Sequence, residues 1–180
     1  MVHARTVRIT HWIFTLCFVA LAVSGAGIVL AHPRFYWGEA GYFDTTAAFV
    51  LPLAVNKHHT SWGRGLHFFA AWVMVLNGLA SVGWGVATGH FRLLAYVGLQ
   101  KWTYRFVVFV LFPLIVLTGI SMSPGITAAL PWLFTMFGGR QSARTIHFLL
   151  SDVLVLFVVA QMALVIRAGF RSKMRTMIAL

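Results

Sequence analysis

Four stretches of this chain, near residues 9–30, 63–87, 103–122 and 145–167, are apolar for long enough to cross the hydrocarbon core of a bilayer, which takes about 20 residues. A backbone inside lipid has no water to bond, so each stretch is expected to be a helix that satisfies its own N–H and C=O groups. The expected fold class is therefore all-α, an integral membrane four-helix bundle forming a single domain over residues 1–180. Charge is scarce to match: 9% of residues, where a soluble domain carries roughly 25%. Three of them are acidic: Glu39, Asp44 and Asp152.

The net charge of +11 excludes little by itself, but its distribution does. The basic residues sit between apolar runs rather than in a stripe with interleaved aromatics, so nucleic acid is not expected as a partner. They act instead as topology determinants and contacts to anionic lipid head groups. With both termini in the cytoplasm, Arg5, Arg8, Arg92, Lys101, Arg105, Arg167, Arg171, Lys173 and Arg175 fall inside, and Arg34, Lys57, Arg64, Arg140 and Arg144 fall outside. The inside excess favours that orientation. The opening MVHARTVRIT resembles a signal peptide, but the run behind it extends to Leu30 and is expected to stay as the first span. Cys17 is the sole cysteine, which excludes an intramolecular disulfide. Pro113 is expected to kink the third span.

Three Arg-x-x-His pairs stand out: Arg8–His11, Arg64–His67 and Arg144–His147. Eleven arginines in 180 residues would place about half such a pair beside eight histidines by chance. The second and fourth spans both start outside, so His67 and His147 lie at similar depth near the outer face. Two imidazoles at one depth on neighbouring helices have the arrangement that ligates a haem iron axially. Each arginine lies one turn toward water on the same helical face, where a haem propionate would emerge and take a bidentate cation. His11 lies near the inner face. Its mate on the fourth span should fall 14 residues beyond His147, about 21 Å deeper, and that residue is Gln161, a poor haem ligand. One haem is expected at the outer site, and a second at His11 and Gln161, with Arg8 as its propionate contact, is left open. Asp152 is expected to be protonated, bonded to a ligand imidazole or paired with a cation. The bland reading of each pair is an interfacial histidine with a snorkelling arginine.

The motifs RITHW, AHPRFYWGE, LHFFAAW, TGHFR, LTGISMSPG and FGGRQSARTIHF resemble the bacterial b-type cytochrome membrane subunits, nearly end to end. This is the b561-like superfamily that includes the cytochrome b subunits of formate dehydrogenase, nickel-iron hydrogenase and thiosulfate reductase. The resemblance implies haem b in a four-helix core, passing electrons between a periplasmic catalytic subunit, molybdopterin-dependent in type, and the quinone pool. It implies His67 and His147 as outer-haem ligands and matches His11 to the first-helix ligand of an inner haem. The partner position of that inner haem, a histidine in the family, is Gln161 here. Such a chain is an electron-transfer subunit of an oxidoreductase rather than a catalyst alone. The competing readings are a stand-alone b-type cytochrome acting on quinone and a soluble reactant, and a membrane anchor or assembly subunit with structural histidines.

Overall fold

The computed structural model describes residues 4–41, 45–55, 60–89 and 99–178. His3, Asp44, Lys57, His58, His59, His90 and Arg92 lie outside the described residues. The structure is mostly helical. In chain order it runs α1 (Arg5–Ala31), β1 (Arg34–Phe35), β2 (Phe49–Val50), α2 (Thr60–Ala87), α3 (Leu99–Phe106), a π-helical stretch (Val107–Leu111), α4 (Phe112–Ser121), α5 (Pro124–Ala129), α6 (Trp132–Met136), α7 (Arg140–Arg167) and α8 (Phe170–Ile178). Among the described residues four helical segments are long and apolar enough to span a membrane: Arg5–Ala31, Trp62–Ala87, Trp102–Ser121 and Arg140–Arg167. Leu16, Phe69, Phe109 and Leu156, one on each, are between 67% and 70% exposed. Large aliphatic and aromatic side chains turned outward on every long helix are matched to lipid, not water. The chain is a multi-pass membrane protein.

The chain divides into two compact units. The first holds α1, α2, the end of α7 from Val158 onward and α8. Here small residues recur at seven-residue spacing: Cys17, Ser24 and Ala31 are buried on α1, as are Gly63, Ala70 and Asn77 on α2. Two turns per repeat keeps each set on one face, and small side chains let the backbones approach closely. A Cβ on Gly63 would come within 3.3 Å of the Ser24 carbonyl oxygen, so that approach depends on glycine. At the other end Asn77 Nδ2 donates to the Thr10 carbonyl at 2.9 Å, fixing α1 and α2 antiparallel.

The second unit holds β1, β2, α3 to α6 and α7 as far as Phe157. Its third span carries a π-helical stretch just before Pro113. Pro113 has no N–H to offer, and the helix accommodates it by widening just upstream, where the Phe112 N–H reaches back to the Val107 carbonyl through the π-helical stretch. The segment joining the first two spans is tied to the start of α7. The Gly38 carbonyl accepts from the N–H groups of Gln141 (3.0 Å) and Ser142 (3.1 Å), and the Gly38 N–H donates to Ser142 Oγ at 2.7 Å. Thr145 Oγ1 donates to the Tyr36 carbonyl at 2.7 Å. Donors at a helix start have no partner within the helix, and this segment supplies them. Phe35 stacks on Phe49 at 4.7 Å between ring centres and meets Phe148 at 4.4 Å, so aromatic packing closes the join.

Candidate functional site

His67 lies on α2 seven positions after its first residue, Thr60, and is partly buried. Its Nδ1 stands 3.0 Å from Ser24 Oγ on α1. A serine hydroxyl has one hydrogen, and Ser24 gives it to the Ala20 carbonyl one turn back, at 2.6 Å. The Ser24 oxygen therefore accepts from His67, whose Nδ1 carries the ring hydrogen. The backbone of Leu21 adds a further hydrogen bond to the imidazole. The result is a defined tautomer with a lone pair on Nε2. Ser24 is 0% exposed, so water does not compete for these bonds.

The second unit repeats the device. His147 lies seven positions after Arg140, the first residue of α7, and its Nδ1 is 3.0 Å from Thr118 Oγ1 on α4. Thr118 is also 0% exposed and shares its hydrogen between the carbonyls of Leu114 and Ile115, each at 3.0 Å. The Ile115 carbonyl lies 3.1 Å from His147 Nδ1, and a carbonyl only accepts, so Nδ1 is protonated here too. In both units a glycine follows the hydroxyl residue and lies against the ring edge. A Cβ on Gly25 would meet His67 Cε1 at 3.6 Å, and one on Gly119 would meet His147 Cε1 at 3.4 Å. Ser24-Gly25 and Thr118-Gly119 were missed in reading the sequence. A hydroxyl–glycine pair late in one span, followed by Arg-x-x-His at the start of the next, is the signal that would have found them.

The other expected site residues are placed as follows. Arg64 is exposed in the first turns of α2. Arg144 sends one arm of its guanidinium to the His32 carbonyl, stacks 4.9 Å over the Phe35 ring and lies 3.5 Å from Gln141 Oε1. It therefore also pins the segment after α1. Arg8 Nε is buried with no hydrogen-bond partner among the described residues. His11 is exposed on α1, its ring set edge-on to Trp12 at 5.8 Å, and Trp12 Nε1 donates to the Met177 carbonyl of α8 at 3.4 Å. Gln161 is partly buried on the part of α7 that belongs to the same unit as His11. Among the described residues Asp152 does not buttress an imidazole: Thr118 and Ile115 hold His147 Nδ1, Ser24 holds His67 Nδ1, and Asp152 is exposed on α7.

These donors fit a haem. Each unit offers one imidazole whose Nδ1 is held from behind by a buried hydroxyl, the outer support that orients metal-ligating histidines. Porphyrin supplies four of the iron's six ligands, so single imidazoles complete the set. Among the described residues no three His, Cys, Asp or Glu side chains gather into a bare-ion site.

Comparison with known proteins agrees with this chemistry. A protein of Azospira oryzae, named as protein-methionine-sulfoxide reductase subunit YedZ1, is 27% identical over 194 aligned positions, covering 91% of this chain and 89% of the relative. Residues 2–179 match the family described as prokaryotic cytochrome b561, whose members are membrane proteins that carry electrons on haem b. With four apolar spans and a match over all but its end residues, this chain belongs to the prokaryotic cytochrome b561 family.

Proposed function

We propose that this chain is the haem b subunit of a membrane oxidoreductase complex, carrying electrons between a periplasmic catalytic partner and the quinone pool. His67 and His147 would hold one haem b near the outer face, and Arg64 and Arg144 would take its propionates. The observation that carries the reading is the repeated pairing of an imidazole Nδ1 with a buried hydroxyl oxygen, His67 with Ser24 and His147 with Thr118, each assigning the ring lone pair to Nε2. The haem, when bound, supplies one-electron chemistry. The chain's own residues fix the tautomer, orient the rings and exclude water from behind them.

The four spans work as one bundle with both termini in the cytoplasm, in keeping with the excess of Lys and Arg on that side. The inner pair is not a second haem site, because Gln161 stands where an imidazole is needed. The name of the Azospira oryzae relative supports a partner that acts on oxidised methionine in proteins, and a molybdopterin centre suits such an oxygen-atom transfer. Electron transfer is tested on the purified chain by adding a reduced quinone analogue and following the absorption spectrum. A b-type spectrum that becomes reduced is expected. A protein with no such spectrum, or one that only dithionite reduces, contradicts the proposal.

A further inference from the structure

Beyond the last span the chain forms one more helix, α8, with the sequence FRSKMRTMI. Phe170, Met174, Met177 and Ile178 share one side of it, the i, i+4, i+7, i+8 pattern of an amphipathic helix. Arg171 and Arg175, one turn apart, border that side and are exposed. Phe170 is 42% exposed and Ile178 59%, so the apolar side is not used up in packing against the described residues. An open hollow of about 560 Å³ follows the border, lined by Phe170, Arg171, Met174, Arg175 and Ile178. Apolar floor and cationic rim belong to one site.

The helix is set where a bilayer meets water. α7 runs for 28 residues, about 42 Å, which matches the thickness of a bilayer with its head groups included. Its last residue, Arg167, therefore reaches the head-group layer, and Gly169 at φ +96° ends the helix there. α8 begins at the next residue. Its far end is held to the first turns of α1, where Trp12 Nε1 donates to the Met177 carbonyl. A basic amphipathic helix at this level lies in the interface, apolar side toward the acyl chains. A soluble protein would meet only its water side and leave Phe170 and Ile178 to lipid. Charge then selects the lipid. From Arg167 to Leu180 the sequence has four basic residues and no acidic one. Guanidinium forks pair with phosphate oxygens, and basic segments beside a span gather acidic lipids.

We propose that α8 lies in the head-group layer and binds an acidic phospholipid, its phosphate at Arg171 and Arg175 and an acyl chain along Phe170, Met174 and Ile178. The site is independent of the haem assignment. The test uses the full chain with Cys17→Ala and Ile178→Cys, labelled with bimane, in nanodiscs of equal parts phosphatidylcholine and phosphatidylglycerol. A quenching nitroxide is placed on the acyl chain of one lipid or the other. Quenching should show a preference of about tenfold for phosphatidylglycerol beside the label. Arg171→Gln together with Arg175→Gln should make the two lipids equal. Arg171→Lys together with Arg175→Lys should keep the larger part of the preference, because charge rather than helix packing sets it. Equal quenching by both lipids beside the unaltered arginines, quenching by neither, or a preference that survives loss of both arginines overturns the proposal.

Discussion

The Thr118 hydroxyl oxygen lies 3.0 Å from His147 Nδ1 and has its own hydrogen directed to the helix backbone, so it acts as the acceptor. Ser24 stands in the same relation to His67. Removing either hydroxyl frees the ring to turn and weakens Nε2 as a donor. Ser24→Ala and Thr118→Ala should each lower haem affinity by about tenfold, the lower end for outer-shell partners, because the carbonyls of Leu21 and Ile115 still hold the imidazole. Both should also raise the haem reduction potential, since a less electron-rich imidazole disfavours ferric iron. Ser24→Thr and Thr118→Ser should keep the potential. Redox titration of the variants checks this.

Gly139 has φ +107°, and a Cβ there would come within 2.6 Å of the Gly38 carbonyl oxygen, which accepts from the start of α7. Gly139→Ala should therefore destabilise the second unit by more than the roughly 1–3 kcal/mol of the backbone conformation alone. Gly38→Ala, at φ +93° with open space around it, should cost only the conformational part. Thermal unfolding of the two variants side by side separates strain from collision.

Arg144 and Arg64 share a motif but not an environment. Arg144→Gln removes a charged hydrogen bond to the His32 carbonyl and the stack on Phe35, a loss of about 1.5–3 kcal/mol that should loosen the segment after α1. Limited proteolysis of residues 32–41 reads that loosening. Arg64→Gln, at an exposed site, should change stability by no more than about 0.5 kcal/mol and should lower the haem potential, because one nearby cation no longer opposes the ferric charge.

Gln161→His supplies an imidazole 14 residues beyond His147, on the same unit as His11. If the glutamine alone prevents a second haem, this change should raise haem content above one per chain. No gain would mean that His11, exposed and edge-on to Trp12, is not set for iron.

The sequence made the four long helices legible because lipid forces one solution on any apolar run of that length. Helix ends were less clear: α1 begins at Arg5 and α7 at Arg140, since polar first turns continue a helix past the apolar core. The two-residue strands and the clamp from His32 to Gly38 were invisible, being built from backbone carbonyls that any residue provides. Arg-x-x-His drew attention to His67 and His147, but the hydroxyls that fix their rings lie 43 and 29 residues earlier in the chain. Local spacing cannot reveal pairing across helices. Asp152 was expected to be protonated, bonded to a ligand imidazole or paired with a cation, and the described residues give it no partner.

The central claim is one haem held by His67 and His147, and haem stoichiometry measured as the pyridine haemochrome on purified chain tests it most directly. The account predicts one haem per chain, falling to near zero in His67→Ala and in His147→Ala and unchanged in His11→Ala. A colourless protein, or haem that survives loss of either outer histidine, would contradict it.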